Sequence, residues 1–146
     1  MIEYTFRPID NWTTPETPAH KRRSKYTFRS SWQDTLRLLQ RELSYLKAKN
    51  LVIQADVTEG EIRNDGMLRA TAKPSSPRII LSFESKHGPV SYPCDSCEFW
   101  QHNVRSIALG LAALRAVDRY GVTSNGEQYK GWIKIESNER FPIPET

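Results

Sequence analysis

The spacing of hydrophobic positions along the chain predicts strands and two long helices. Near the start, Ile2, Tyr4 and Phe6 alternate with polar residues, as in a strand with one buried face, and Pro8 ends the pattern. Ser31 is a suitable N-cap for a helix, because apolar residues recur after it at intervals of three and four. The residues of this helix pattern are the apolar Trp32, Leu36, Leu39, Leu43 and Leu46, the last-turn Lys47 and Lys49, and the final Asn50.

Further strands are predicted in the middle of the chain. The segment "LVIQADV" at residues 51–57 alternates as one strand, and "RIILSFES" and "PVSYP" on either side of "KHG" predict a hairpin. Asp65 and Gly66 favour a tight type I′ turn, so two more short strands are expected around them. The segment "GWIKIES" predicts one last strand.

A second long helix is predicted after residue 95. Asp95 and Glu98 have the spacing of a capping box. Apolar residues recur at helical intervals after Trp100, and Gly121 suits the position that follows a helix.

These elements predict an α+β fold in two layers. Each helix has one apolar face to bury, so we expect both long helices on one face of a mostly antiparallel sheet of about five to six strands. The length of 146 residues suits one domain. We place it at residues 1–136, with an extended basic arm at residues 10–30 and a tail at 137–146. No apolar run would span a bilayer and the first residues lack a signal-peptide pattern, so a cytoplasmic location without membrane contact is expected.

Positive charge is concentrated in the basic segment, residues 20–29. The net charge is +4, and five cations lie within this segment, so the rest of the chain is nearly neutral. Aromatic residues interleave with the cations, a composition that can neutralise phosphates and stack on unpaired bases. Nucleic-acid binding is therefore one hypothesis, and a solvated arm without a ligand is the alternative. The residues concerned are Lys21, Arg22, Arg23, Lys25, Tyr26, Phe28 and Arg29.

Two cysteines raise the question of a metal or redox site. Cys94 and Cys97 form one C-x-x-C pair, whereas a closed zinc site needs four ligands. His87 and His102 would have to complete the set, yet the spacing matches no common zinc finger. A hairpin before the pair is not the context of a thioredoxin-like motif. We therefore expect no metal and no cofactor, and two ordinary, partly buried thiols.

Polar and aromatic residues cluster around the end of the second helix. The sequence contains no nucleophile elbow and no glycine-rich phosphate loop, so an enzyme is not the leading hypothesis. The cluster is interpreted as a clasp between the helix end and the final strand, or else as a binding cleft. The residues concerned are Trp100, Asn103, Arg105, Asp118, Arg119, Tyr120, Glu127, Gln128, Tyr129 and Trp132.

Several segments between residues 4 and 132 carry a family resemblance. The most specific are the W-x-x-N-x-R-x-I-A-L pattern beginning at Trp100, the "DRYG" beginning at Asp118, and "GEQYKG". Together with "EIRNDGMLRATA" and "PRIILSFESKHGPVSYPCD", they resemble the region that precedes the J domain in actinobacterial and actinophage J-domain-like proteins. The resemblance implies a phage or bacterial origin. It does not extend to co-chaperone activity, because the chain has no His-Pro-Asp loop.

The leading hypothesis is a small non-enzymatic binding or adaptor protein, encoded by a phage or mobile element, with a host or phage protein as its partner. The first alternative is a nucleic-acid-binding accessory protein that uses residues 20–29. The second alternative is an enzyme that uses the cluster at residues 118–132.

Overall fold

The computed structural model describes residues 3–121 together with Tyr129. Within them, four strands form one mixed sheet whose spatial order follows the chain. The strands are β1 (Tyr4–Pro8), β2 (Lys49–Ala55), β3 (Ile79–Ser85) and β4 (Gly88–Cys94). β1 pairs in parallel with β2, while β2 with β3 and β3 with β4 are antiparallel.

Two long helices complete the α+β fold. Helix α1 (Trp32–Tyr45) makes the crossover that a parallel β1–β2 pair needs, and helix α2 (Trp100–Arg119) follows β4. In the part of the chain covered by residues 3–121, no helix is long and apolar enough to cross a membrane.

The core lies between the helices and one face of the sheet. Phe6, Ile53, Leu81 and Tyr92 are aligned across the four strands, and all four are buried. They belong to one apolar cluster with residues of both helices, including the fully buried Leu39. Since alternate residues of a strand point to opposite faces, this alignment places both helices on one face, as predicted.

The opposite face of the sheet is more polar, although Val52 and the buried Ile80 also belong to it. Thr5, Val52, Ser82 and Ser91 are aligned across it in the neighbouring register. Neither α1 nor α2 covers this face, which is termed the open face.

Helix α1 starts as predicted and ends earlier. The Ser31 hydroxyl accepts the Asp34 N–H at 3.1 Å, and the Asp34 carboxylate accepts the Ser31 N–H at 3.0 Å. These hydrogen bonds hold the pKa of Asp34 below its usual value. The predicted end at Asn50 is wrong, because Lys47 adopts a φ of 55° and the Ala48 N–H donates to the Leu43 carbonyl at 2.9 Å. This closing turn lets the chain reverse into β2.

The Asp65–Gly66 segment forms a turn without the two predicted strands. One isolated β-bridge, between Ile62 and Leu68, is found where the two strands were expected to pair. Gly66 has a φ of 87°, and its carbonyl accepts the Phe6 N–H at 2.7 Å, so the loop closes the outer edge of β1. The described residues therefore hold four strands, fewer than the five to six expected. The predicted "GWIKIES" strand and the tail at 137–146 lie outside the described residues.

The predicted capping box of the second helix is wrong. Helix α2 has Phe99 at its N-cap, with no side-chain cap. The carboxylates of Asp95 and Glu98 are bonded to the arm instead, at Thr17 and Lys25. At the other end, Gly121 follows the helix with a φ of 76°, as predicted.

We expect Gly66→Ala to lower the free energy of unfolding by about 1–2 kcal/mol, because alanine is strained at this positive φ. A Cβ atom there would also lie 2.6 Å from Thr5 Cγ2. Urea unfolding measures the loss, and adding Thr5→Ser should restore only the part caused by the clash. Gly110→Ala in α2 is the control, since its Cβ would meet nothing within 4 Å. Wild-type stability in Gly66→Ala would contradict strain at this turn.

Candidate functional site

Side chains of the arm are fastened to the loop between β4 and α2. Asp95, which is buried, accepts the Thr17 N–H and the Thr17 hydroxyl, both at 2.7 Å. Arg22 donates from Nε to the Asp95 carbonyl at 3.1 Å and lies 3.5 Å from its carboxylate. One carboxylate thus holds two points of the arm that are five residues apart.

The backbone of the arm also pairs with this loop. The Arg23 N–H donates to the Ser96 carbonyl at 2.8 Å, and the Glu98 N–H donates to the Arg23 carbonyl at 2.9 Å. The Lys25 N–H donates to the Glu98 carboxylate at 2.8 Å. The basic segment therefore has a defined backbone position, and it is not a free coil at residues 22–25.

Asn103 fixes the loop to which the arm is fastened. Its fully buried Oδ1 accepts the Cys97 N–H at 2.8 Å and the Cys94 thiol at 3.4 Å. Its Nδ2 donates to the Pro77 carbonyl at 2.7 Å and to the Cys97 carbonyl at 3.0 Å. All donors and acceptors of the amide are used, which is the condition for burying one at low cost.

Trp100 and Arg105, the other two residues of the W-x-x-N-x-R pattern, also make packing contacts. Trp100 packs against Trp32 of α1, with ring centroids 5.2 Å apart. Arg105 donates to the Thr35 hydroxyl at 3.4 Å, and its guanidinium lies 5.9 Å from the ring centroid of Phe28. These contacts join α2 to α1 and to the arm, so the pattern marks packing positions.

The basic segment divides into anchored and exposed residues. The ring of Phe28 packs edge-on against the ring of His102, with the ring centroids 5.4 Å apart. Phe28 is therefore a second anchor of the basic segment, in addition to Arg22. Tyr26 is 79% exposed, with the Lys25 ammonium 5.4 Å from its ring centroid. The cations that remain exposed are Lys21, Arg23, Lys25 and Arg29.

The two thiols lie in the same loop. Cys97 is fully buried and Cys94 partly so, and both contact the Ser96 hydroxyl, at 3.9 and 3.5 Å. Burial raises the pKa of Cys94, so this thiol stays protonated at neutral pH. Both cysteines are free thiols.

The four residues that a zinc site would need, His87, Cys94, Cys97 and His102, are not brought together. His87 stacks on Tyr129 at 5.2 Å, whereas His102 packs between Phe28 and Phe99. Burial, with the nearby Arg105, lowers the pKa of His102 and favours its neutral form. Among the described residues, no group of three or more His, Cys, Asp or Glu side chains could hold a metal ion.

A polar cluster joins the C-terminal halves of the two helices. The Glu42 carboxylate, 1% exposed, binds Arg115 through two hydrogen bonds of 2.8 and 3.1 Å, a bidentate pair. The Tyr45 hydroxyl donates to Asp118, and this bond raises the pKa of Tyr45. The clasp therefore runs from helix to helix in the described residues.

Only some of the residues predicted to form the clasp lie in this cluster. Asp118 belongs to the cluster, and Tyr129 is buried beside it, where burial raises its pKa to about 12. Arg119 and Tyr120 are exposed and contact each other, with the guanidinium 5.4 Å from the ring centroid. Glu127, Gln128 and Trp132 lie outside the described residues.

Sequence reasoning missed the central pair of this cluster, although a signal was present. Glu42 lies three residues after Leu39 and four before Leu46, which places it on the apolar side of α1. Arg115 lies four residues after the buried Leu111 of α2. A charge within the apolar stripe of each of two packed helices indicates a buried ion pair.

The open face of the sheet carries a groove of about 560 Å³. Two side-chain hydrogen bonds lie within it, from Gln54 to Asp10 at 3.1 Å and from Asn50 to Glu84 at 2.6 Å. Strand alternation identifies the polar face but not its depth, so sequence reasoning did not locate this groove. Its lining residues are Arg7, Asp10, Asn50, Val52, Gln54, Ser82, Phe83, Glu84 and Pro89.

The chain matches no protein-family model, no curated protein and no solved structure in the comparisons made.

We expect Arg115→Met to lower the free energy of unfolding by roughly 2–4 kcal/mol, because it leaves the Glu42 carboxylate buried with less compensation. Arg41, 3.1 Å from the same carboxylate, keeps the loss below that of a wholly unpaired charge. Arg119→Ala is the matched control and should melt like the wild type. Equal melting temperatures for Arg115→Met and the wild type would refute the clasp.

We expect Asn103→Ala to cost more than about 2 kcal/mol, since backbone groups of Cys97 and Pro77 lose their buried partner. Hydrogen exchange at the Arg23 amide should also become faster, because the loop that binds it is released. Gln101→Ala, on the same helix, is the control for both measurements. Unchanged exchange at Arg23 in Asn103→Ala would show that the arm does not depend on this amide.

Proposed function

We propose that this chain is a small non-enzymatic binding protein that acts as an adaptor, and that it binds a polypeptide in the groove of the open face. The observation that carries the proposal is the groove itself. It has a volume of about 560 Å³ and lies on the face that the two helices leave uncovered.

The chemistry of the groove favours a polypeptide. The amide oxygens of Asn50 and Gln54 and the hydroxyl oxygen of Ser82 can accept from peptide N–H groups. The Asn50 amide, which gives one N–H to Glu84, can donate its second N–H to a peptide carbonyl. Asp10 and Glu84 bring two carboxylates, which repel a phosphate backbone, while Arg7 supplies one positive charge. Mixed charge together with amides suits an extended peptide segment better than a polyanion.

The state of the other polar groups supports a role without catalysis. Glu42 and Arg115 are paired with each other, and so are Tyr45 and Asp118. The raised pKa values of Tyr45 and Cys94 disfavour the anions that would act as base or nucleophile. The contacts of these groups favour a role in stabilising the fold.

The resemblance to the region preceding the J domain supports a phage or mobile-element origin. We accordingly propose that the partner is a host or phage protein. The J-domain activity itself is not part of the proposal, because the His-Pro-Asp loop that it needs is missing from the sequence.

Photo-cross-linking in host lysate tests the groove. With benzoylphenylalanine placed at Glu84, we expect a discrete cross-linked protein that persists after nuclease treatment. Arg7→Glu, which reverses an exposed charge of the groove, should reduce the yield at least about tenfold if the lost contact is worth 1.4 kcal/mol.

Two matched controls make the test specific. Benzoylphenylalanine at the exposed Gln33 of α1 should give no such product, and Arg37→Glu on α1 should leave the Glu84 product unchanged. The same product from both positions, or a yield insensitive to Arg7→Glu, would contradict binding in the groove.

A further inference from the structure

We propose that the exposed side of the basic segment binds single-stranded nucleic acid. In this site Tyr26 stacks on an unpaired base, and the neighbouring cations contact phosphates. The contacting cations are Lys21, Arg23, Lys25 and Arg29. The proposal concerns a second ligand class and goes beyond the polypeptide groove.

The basic segment is divided into residues that face the protein and residues that face solvent. Arg22 and Phe28 face the protein, where they contact Asp95 and His102. Tyr26, between them in sequence, is 79% exposed. A simply solvated arm needs no anchors on either side of an exposed aromatic ring.

The backbone of the basic segment is preorganised at residues 23–25. The Arg23 N–H and carbonyl are both bonded to the loop between β4 and α2, at 2.8 and 2.9 Å, and the Lys25 N–H is bonded to Glu98 at 2.8 Å. The exposed cations therefore project from a backbone that is already ordered. Binding then avoids much of the entropy cost of ordering a loop.

The basic segment carries an excess of positive charge. Two acidic residues lie at the base of the basic segment, and both hold it in place. Asp95 binds Thr17 and Arg22, and Glu98 accepts the Lys25 N–H. Five cations of the segment outnumber these two carboxylates, so an excess of three positive charges remains. A polyanion is the ligand that such a surface attracts.

The exposed ring selects single strands over duplexes. A tyrosine ring stacks on a base that is not already stacked on both sides, as bases in a duplex are. The basic segment also presents neither a long helix nor a two-stranded ribbon, the elements that enter a major groove. The ammonium of Lys25, 5.4 Å from the Tyr26 ring centroid, places a cation beside the stacking position.

Fluorescence anisotropy with a labelled 20-nucleotide single strand of mixed sequence tests the site. If four phosphates are contacted, the logarithm of the affinity should fall with the logarithm of salt concentration with a slope of about −3. Replacing Lys21, Arg23, Lys25 and Arg29 together by serine should abolish binding. Tyr26→Ala should weaken it about 5- to 150-fold with the salt slope retained, whereas Tyr26→Phe should keep the wild-type affinity.

Control variants separate binding at this site from unfolding and from a general effect of positive charge. Tyr26 and the four cations replaced by serine are all exposed, so these variants should melt like the wild type. Arg37→Ser, which removes an exposed cation of α1, and Arg7→Glu in the groove should leave oligonucleotide binding unchanged. The two proposals can therefore fail separately.

Several outcomes would overturn the proposal. They are no binding of the oligonucleotide at low salt, equal affinity for a duplex of the same sequence, and undiminished binding by Tyr26→Ala. Binding to phosphatidylserine vesicles without binding to the oligonucleotide would assign the basic segment to an anionic membrane surface instead.

Discussion

The buried amide of Asn103 is the interaction on which the rest of the structure depends. It joins α2 to the Pro77 carbonyl just before β3 and to both backbone groups of Cys97 in the loop after β4. An amide in an apolar interior must have all its partners, so it permits one arrangement of this loop. The arm is fastened to the same loop through Asp95, and its position therefore depends on Asn103 as well.

A second directional contact lies near the other end of α2. Apolar packing alone would allow α2 to slide along α1, because the hydrophobic effect has no direction. The bidentate pair of Glu42 and Arg115 removes this freedom, since its two hydrogen bonds form in only one register. With Asn103 near the start of α2 and Arg115 near its end, both the sheet and α1 are held in place.

Features determined by neighbouring residues could be predicted from sequence, and features determined by distant partners could not. The Ser31 cap, both helical stripes and the β3–β4 hairpin follow from local spacing, and the structure has all of them. Asp95 and Glu98 satisfy the local rule for a capping box equally well. Their carboxylates instead serve Thr17 and the Lys25 N–H, 78 and 73 residues away, and a local pattern cannot show which partner wins.

The same distinction applies to the candidate sites. Arg22 and Arg23 are neighbours with the same charge, yet the Arg22 side chain lies against Asp95, while the Arg23 side chain is exposed and its backbone is bonded to the loop. Composition predicted a basic segment, but only tertiary contacts separate its anchors from its exposed cations. The groove carries charges of both signs, whereas the basic segment exposes four cations. Because the two surfaces differ in charge, the two proposed ligands, a polypeptide and a single-stranded nucleic acid, would bind at separate places on the chain.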